Sequence, residues 1–340
     1  MQFIYTSNSN LEWWLQETKL DIVTTNNVHD NYDTALWETQ DFSIEKESEL
    51  EFLISKCKLV CVFLPEFISD HWCKKYDLPN VIFFIGGILN WQPQHARVLF
   101  HHYFFWSTTD FYHIKPDILP KLNNSMNKPK YFDVLLGRVK PHRSQIYDTI
   151  DHEKNIVTYF QSSNELDLRA TSAEQFSWPH EILTEPVEEI CWTGSEVVVD
   201  GTIVSLSQLV PIDIYNQTYY SVIAETQYEN RFSFFTEKIV KPMMASRLFV
   251  VSSGQYYLKN LKTLGFKTFD NVVDESYDLE PDLHRRTDMV LDQVEKLSRL
   301  NPAEVCAMIQ HRLDHNKKLV LETNWVNCII NNLHDIFKKI

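Results

Sequence analysis

Glycine is the residue this chain lacks. Seven occur in 340 residues, at positions 86, 87, 137, 194, 201, 254 and 265, roughly a third of the usual share of about 7%. Turns that bring backbone N–H groups against a phosphate need glycine where a Cβ would block the approach. Neither G-x-x-x-x-G-K-[ST] nor G-x-G-x-x-G can be written with those seven positions, which excludes phosphate cradles of the P-loop and dinucleotide types. A Rossmann-type dehydrogenase goes with them. Any phosphate site here must be built from side chains and helix N-termini.

Lys and Arg number 32 against 46 Asp and Glu, a net charge of −14. So acidic a chain is poorly suited to gripping a nucleic-acid backbone, which needs clustered positive charge, although a small basic site is compatible with it. The 44% hydrophobic content supplies a buried core and excludes disorder for most of the length. At about 150 residues per domain, two domains or one large one are expected. The cysteines at 57, 61, 73, 191, 306 and 328 contain no C-x-x-C and match no common zinc spacing. With no N-terminal signal segment, the expectation is reduced thiols, a cytoplasmic protein and unused sequons at Asn123 and Asn216. Apolar runs such as 81–91 fall short of the roughly 20 residues that span a bilayer.

Apolar runs at 58–64 (KLVCVFL), 81–85 (VIFFI) and 98–106 (VLFHHYFFW) read as strands buried on both faces, after an opening strand at 1–6 and a helix at 10–17. The segment 114–130, with three prolines and three asparagines, is the best linker candidate in the chain. A second α/β pattern follows, with strands at 131–136, 219–224 and 248–251 and a helix starting near 144. The tail is helical: Val290, Val294 and Leu297 form one stripe, Asn301-Pro302-Ala303-Glu304 is an N-cap signature, and Ile329, Ile330, Leu333 and Phe337 form another stripe. Strand–helix alternation on both sides of a linker predicts two Rossmann-like α/β domains. The expected boundaries are 1–118, a linker at 119–130, a second domain at 131–285, and C-terminal helices at 286–340.

The most informative stretch is 224–254, AETQYENRFSFFTEKIVKPMMASRLFVVSSG. A strand ends near Ala224, a polar loop carries Glu225, Glu229, Asn230 and Arg231, and a helix begins near Thr236. Thr236-Glu237-Lys238 places a capping hydroxyl, a carboxylate and an ammonium in one helical turn after a strand, where open α/β sheets bind ligands. A departing pyrophosphate gains negative charge that a lysine and a helix N-terminus can stabilise, and a nearby carboxylate can accept ribose hydroxyls.

Glu229-Asn230, an aromatic spacer and Phe235-Thr236-Glu237-Lys238-Ile239 together resemble the α-1,3-fucosyltransferase signature. The continuation through Pro242 and LFVV, and the run at 261–278, is similar to fucosyltransferase-like and viral glycosyltransferases. The resemblance implies a GT-B-like fold of two Rossmann-like domains. It also implies a nucleotide-sugar donor, a GDP-sugar before a UDP-sugar, and transfer to a glycan or other hydroxyl acceptor without metal or other cofactor. It makes Glu229, Asn230, Phe235, Thr236, Glu237 and Lys238 donor-binding. The eight-residue spacing of Glu229 and Glu237 is shared with retaining GT-B enzymes, so inversion and retention both stay open.

In the loop 137–143, Arg138, Lys140, His142 and Arg143 crowd together after a strand, where arginine can clamp a phosphate bidentately. The resemblance places a donor arginine here. Arg143, at the helix start, is the first choice and Arg138 the second. An inverting reaction needs a carboxylate to deprotonate the acceptor. Glu66, after the strand 58–64, and Asp110, after the strand 98–106, are the candidates. No convincing D-x-D stands after a strand, and the H-x3-H of His311 and His315 lies in a polar helix face. The competing readings are a viral DNA-modifying sugar transferase, which the acidity disfavours, and a non-catalytic nucleotide- or glycan-binding protein.

Overall fold

The structure is a computed structural model that describes residues 2–39, 43–64, 70–123, 125–137, 139–159 and 196–338. The chain divides into two units, residues 1–106 with 324–340 and residues 107–323.

The first unit opens with β1 (Gln2–Thr6), α1 (Ser9–Glu17), β2 (Ile22–Thr25), β3 (Thr34–Glu38) and α2 (Ile44–Lys56). It continues through β4 (Leu59–Leu64), α3 (Asp70–Lys75), β5 (Val81–Ile85), β6 (Gly87–Leu89) and β7 (Arg97–Phe100). Its six-stranded sheet has the order β2-β1-β3-β4-β5-β7, parallel throughout. Parallel strands buried on both faces carry uninterrupted apolar runs, which is why β4 and β5 stand out in the sequence. Ile4, Leu36, Phe63 and Phe84 project from one face of this sheet into a core that Leu11, Trp14 and Leu15 of α1 complete.

The expected strand at 98–106 is shorter than its apolar run. It stops at Phe100, and α4 (Tyr103–Ile114) begins within the aromatic stretch. Burial of Phe105, Phe111 and Tyr112 outweighs the preference of aromatic residues for strands.

The second unit holds β8 (Lys130–Leu136), α5 (Pro141–Thr149), β9 (Ile156–Tyr159), the hairpin β10 (Glu196–Val199) and β11 (Thr202–Ser205), and α6 (Ile212–Gln217). After these come β12 (Thr218–Ala224), β13 (Phe232–Phe234), α7 (Glu237–Met244), β14 (Phe249–Ser252), α8 (Tyr257–Thr263), α9 (Leu283–Leu297) and α10 (Pro302–Glu322). Its four-stranded sheet runs β9-β8-β12-β14, again all parallel. In both units the chain runs from the first strand outward to the second, then back across the first to the third and fourth. This is a doubly wound order with its switch point between the first and third strands. The protein is thus an α/β chain of two Rossmann-like units with added C-terminal helices.

The last helix, α11 (Trp325–Phe337), parts from the expected tail. It packs in the first unit, where Ile329, Leu333, Ile336 and Phe337 join the core against α1. No helix among the described residues is long and apolar enough to cross a membrane.

Candidate functional site

The second unit's switch point lies between β8 and β12, and the loop 225–236 leaves from the C-terminal end of β12. A buried pair ties the two strands together. Asp133 accepts from Arg247 Nη2 at 2.7 Å and from Ser221 Oγ at 2.9 Å, and Arg247 also donates to the carbonyls of Tyr215, Thr218 and Tyr220. Asp133 is therefore a structural residue.

Above it, Thr236 caps α7 in extended conformation, its hydroxyl accepting from Lys238 N–H at 3.3 Å. The same hydroxyl donates to Glu225 Oε2 at 2.8 Å. Glu225 is wholly buried, and its carboxyl also accepts from Tyr257 Oη at 2.7 Å, Thr226 N–H at 3.2 Å and Thr236 N–H at 3.3 Å. This carboxyl is the hub that fixes where α7 begins. Sequence reading placed Glu225 in the polar loop without a role; its position at a strand end, with a threonine at the next cap, was the available signal.

Glu237 and Lys238 form a close pair, Lys238 Nζ donating to Glu237 Oε1 at 2.6 Å and to Thr226 Oγ1 at 3.3 Å. The two buried carboxyls shift in opposite directions. Burial raises the pKa of Glu225, with the Lys238 charge opposing it. Burial would also raise Glu237, but the ammonium groups of Lys238 and Lys241 outweigh it and hold this carboxyl below the ordinary range. Glu237 is thus ionised at neutral pH and accepts hydrogen bonds. A cavity of about 580 Å³, its mouth included, opens beside this turn, lined by Asp133, Ser221, Tyr215, Glu237, Lys238 and Lys241 among others. Lys241, one turn further along α7, did not stand out in the sequence.

The remaining residues singled out in the sequence serve the loop. Arg143 is buried at the start of α5, and its guanidinium donates to the carbonyl oxygens of Ala224 at 3.0 Å and Glu225 at 3.2 Å, fastening the end of β12. Asn230 donates to the Pro281 carbonyl at 2.7 Å and accepts from Gln255 N–H at 3.0 Å. Glu229 is exposed, and its carbonyl lies where a Cβ on Gly254 would meet it at 2.2 Å. Phe235 is buried, its ring 4.9 Å from that of Tyr257. Arg143, Glu229, Asn230, Phe235, Thr236, Glu237 and Lys238 therefore all belong to one loop-and-helix assembly.

Arg138 and Glu66 lie outside the described residues. Asp110 is not at a strand end: it is exposed on α4, because the aromatic segment before it is helical. In the first unit the switch point lies between β1 and β3. There Glu38, at the end of β3, accepts from Asn8 Nδ2 at 2.6 Å, and burial raises its carboxyl pKa. This carboxylate too was passed over in the sequence.

No family model matches the chain, and no curated protein does. Among solved structures, an α1,3-fucosyltransferase matches over 96% of this chain and 91% of its own, at 11% identity and a TM-score of 0.42. An NAD-dependent formate dehydrogenase from Staphylococcus aureus matches over 92% and 96%, at 9% identity and a TM-score of 0.21.

Proposed function

We propose that this chain is a glycosyltransferase that takes a sugar from a nucleotide-sugar donor, a GDP-sugar before a UDP-sugar, and passes it to a hydroxyl of a glycan or similar acceptor. The observation that carries this reading is the capped turn Thr236-Glu237-Lys238. It stands at the C-terminal end of β12, beside a cavity at the switch point of a parallel sheet, the position where such sheets take nucleotides. The preference for guanine rests on the likeness of residues 229–239 to the fucosyltransferase signature.

As the bond between the anomeric carbon and the diphosphate oxygen breaks, its electron pair leaves with the diphosphate. The Lys238 ammonium and the positive end of α7 stabilise the charge that grows there. The ionised Glu237 accepts hydrogen bonds from donor hydroxyls. Arg143, Glu225 and Asn230 hold the loop from which these groups project. Glu66 is the base of this reading, taking the acceptor proton. Glu66→Gln should abolish turnover while leaving nucleotide binding intact; the same result from Glu38→Gln would move that role to the first unit's switch point.

The first test is calorimetric titration with GDP, UDP, CMP and ADP, repeated on Lys238→Ala. The reading predicts selective binding of one nucleotide, weakened more than tenfold by the substitution, about 1.4 kcal/mol. Folded protein that binds none of the four would overturn it.

A further inference from the structure

Two carboxylates, Asp133 and Glu237, and two ammonium groups, Lys238 and Lys241, line the cavity beside α7. Asp133 is matched by Arg247 at 2.7 Å and Glu237 by Lys238 at 2.6 Å. Lys241 makes no ion pair of its own among the described residues, although it lies in the field of Glu237 and Asp133. It is 7% exposed, it lines the cavity, and its Nζ donates to the Ser207 carbonyl at 2.7 Å. Among the described residues no carboxylate comes within ion-pair distance of it, and its other ammonium hydrogens meet no acceptor. A buried cation is costly unless it is paired and hydrogen-bonded. An ammonium left in that state on a cavity wall is a site for an anion.

Lys241 is three residues from Lys238, and positions so spaced are neighbours on a helix, with Cβ atoms about 5–6 Å apart. We propose that Lys238 and Lys241 together form a diphosphate site in which each lysine takes one phosphate group. Lys241 is then the residue that selects a nucleoside diphosphate over a monophosphate. This rests on the nucleotide-sugar reading of the same cavity and adds to it a named selector. A single phosphate held at the start of α7 satisfies Lys238 and leaves Lys241 unmatched. The second phosphate removes that cost, so the selectivity arises from a charge the protein buries before the ligand arrives.

The test is titration of GDP and GMP into the wild-type chain and into Lys241→Met, Lys241→Gln and Lys241→Arg, with thermal unfolding confirming that each is folded. The wild type should prefer GDP over GMP by more than about tenfold. Both neutral variants should lose about tenfold or more in GDP affinity while GMP affinity stays within about threefold, and Lys241→Arg should keep the preference. Neutral variants that retain the wild-type ratio would overturn the proposal. So would an equal loss of both nucleotides, which would make Lys241 only a tether between α7 and Ser207. Wild-type protein that binds neither nucleotide would overturn the glycosyltransferase reading itself, a result distinct from the other two.

Discussion

Asp133 and Arg247 show how a charged pair in mid-sheet can be structural. The guanidinium is wrapped by the carbonyls of Tyr215, Thr218 and Tyr220 and by the carboxylate, so its donors are spent within the protein. Arg247→Met would strand the carboxylate in the core. We expect a loss of about 3–5 kcal/mol, read as a lower urea midpoint with unchanged slope, and a partial recovery when Asp133→Asn is added. At this scale the sequence was legible where type and position coincide. Thr236 is the α7 cap and Glu237 and Lys238 share its first turn, as read. Lys241 was not legible. A lysine four residues after a glutamate looks like an ordinary solvated pair, and only burial distinguishes it.

Among elements, the loop 225–236 depends on a residue outside it. Gly254 leaves no room for a side chain, because a Cβ would meet the Glu229 carbonyl oxygen at 2.2 Å and the Phe232 carbonyl oxygen at 3.3 Å. Gly254→Ala should push this loop away and weaken nucleotide binding more than it lowers the melting temperature, a comparison that calorimetry and thermal unfolding make directly. The buried strands β4, β5, β8 and β12 were legible because each is an apolar run between polar flanks. The short strands β2 and β3 were not, being four and five residues long and partly polar. The hairpin of β10 and β11 was missed although Asp200-Gly201, both at positive φ, is a strong two-residue turn signal between β-branched flanks, EVVV and TIVS.

For the whole molecule, the buried His101 and His142 and the partly buried His102 contribute to the response to acid. Burial pulls His101 down to about 3, with His102 adding to it; burial pulls His102 to about 4; and burial, then Arg143, pulls His142 to about 3. An unfolded histidine titrates near 6.5. Between about 6.5 and 3 these three side chains therefore bind more protons in the unfolded chain than in the folded one, and the stability they contribute falls as pH falls through that window. Melting temperatures recorded from pH 7 to 4 should decline, and replacing His142 with Gln should flatten the curve if the variant folds. The two-unit organisation was legible because strand–helix alternation recurs on both sides of a polar segment. The place of α11 was not, since an amphipathic stripe records that a helix is buried but not against what.

Because α11 belongs with residues 1–106, the first unit is discontinuous in sequence, and this orders events on the ribosome. Domains ordinarily mature in the order of synthesis. Here the second unit is fully made while the first still waits for its last helix, with the core that Ile329, Leu333, Ile336 and Phe337 complete open to chaperones or to other nascent chains. A chain ended at Thr323 should keep a protease-resistant fragment from the second unit while its N-terminal hundred residues are degraded, and adding residues 324–340 as a separate peptide should protect them.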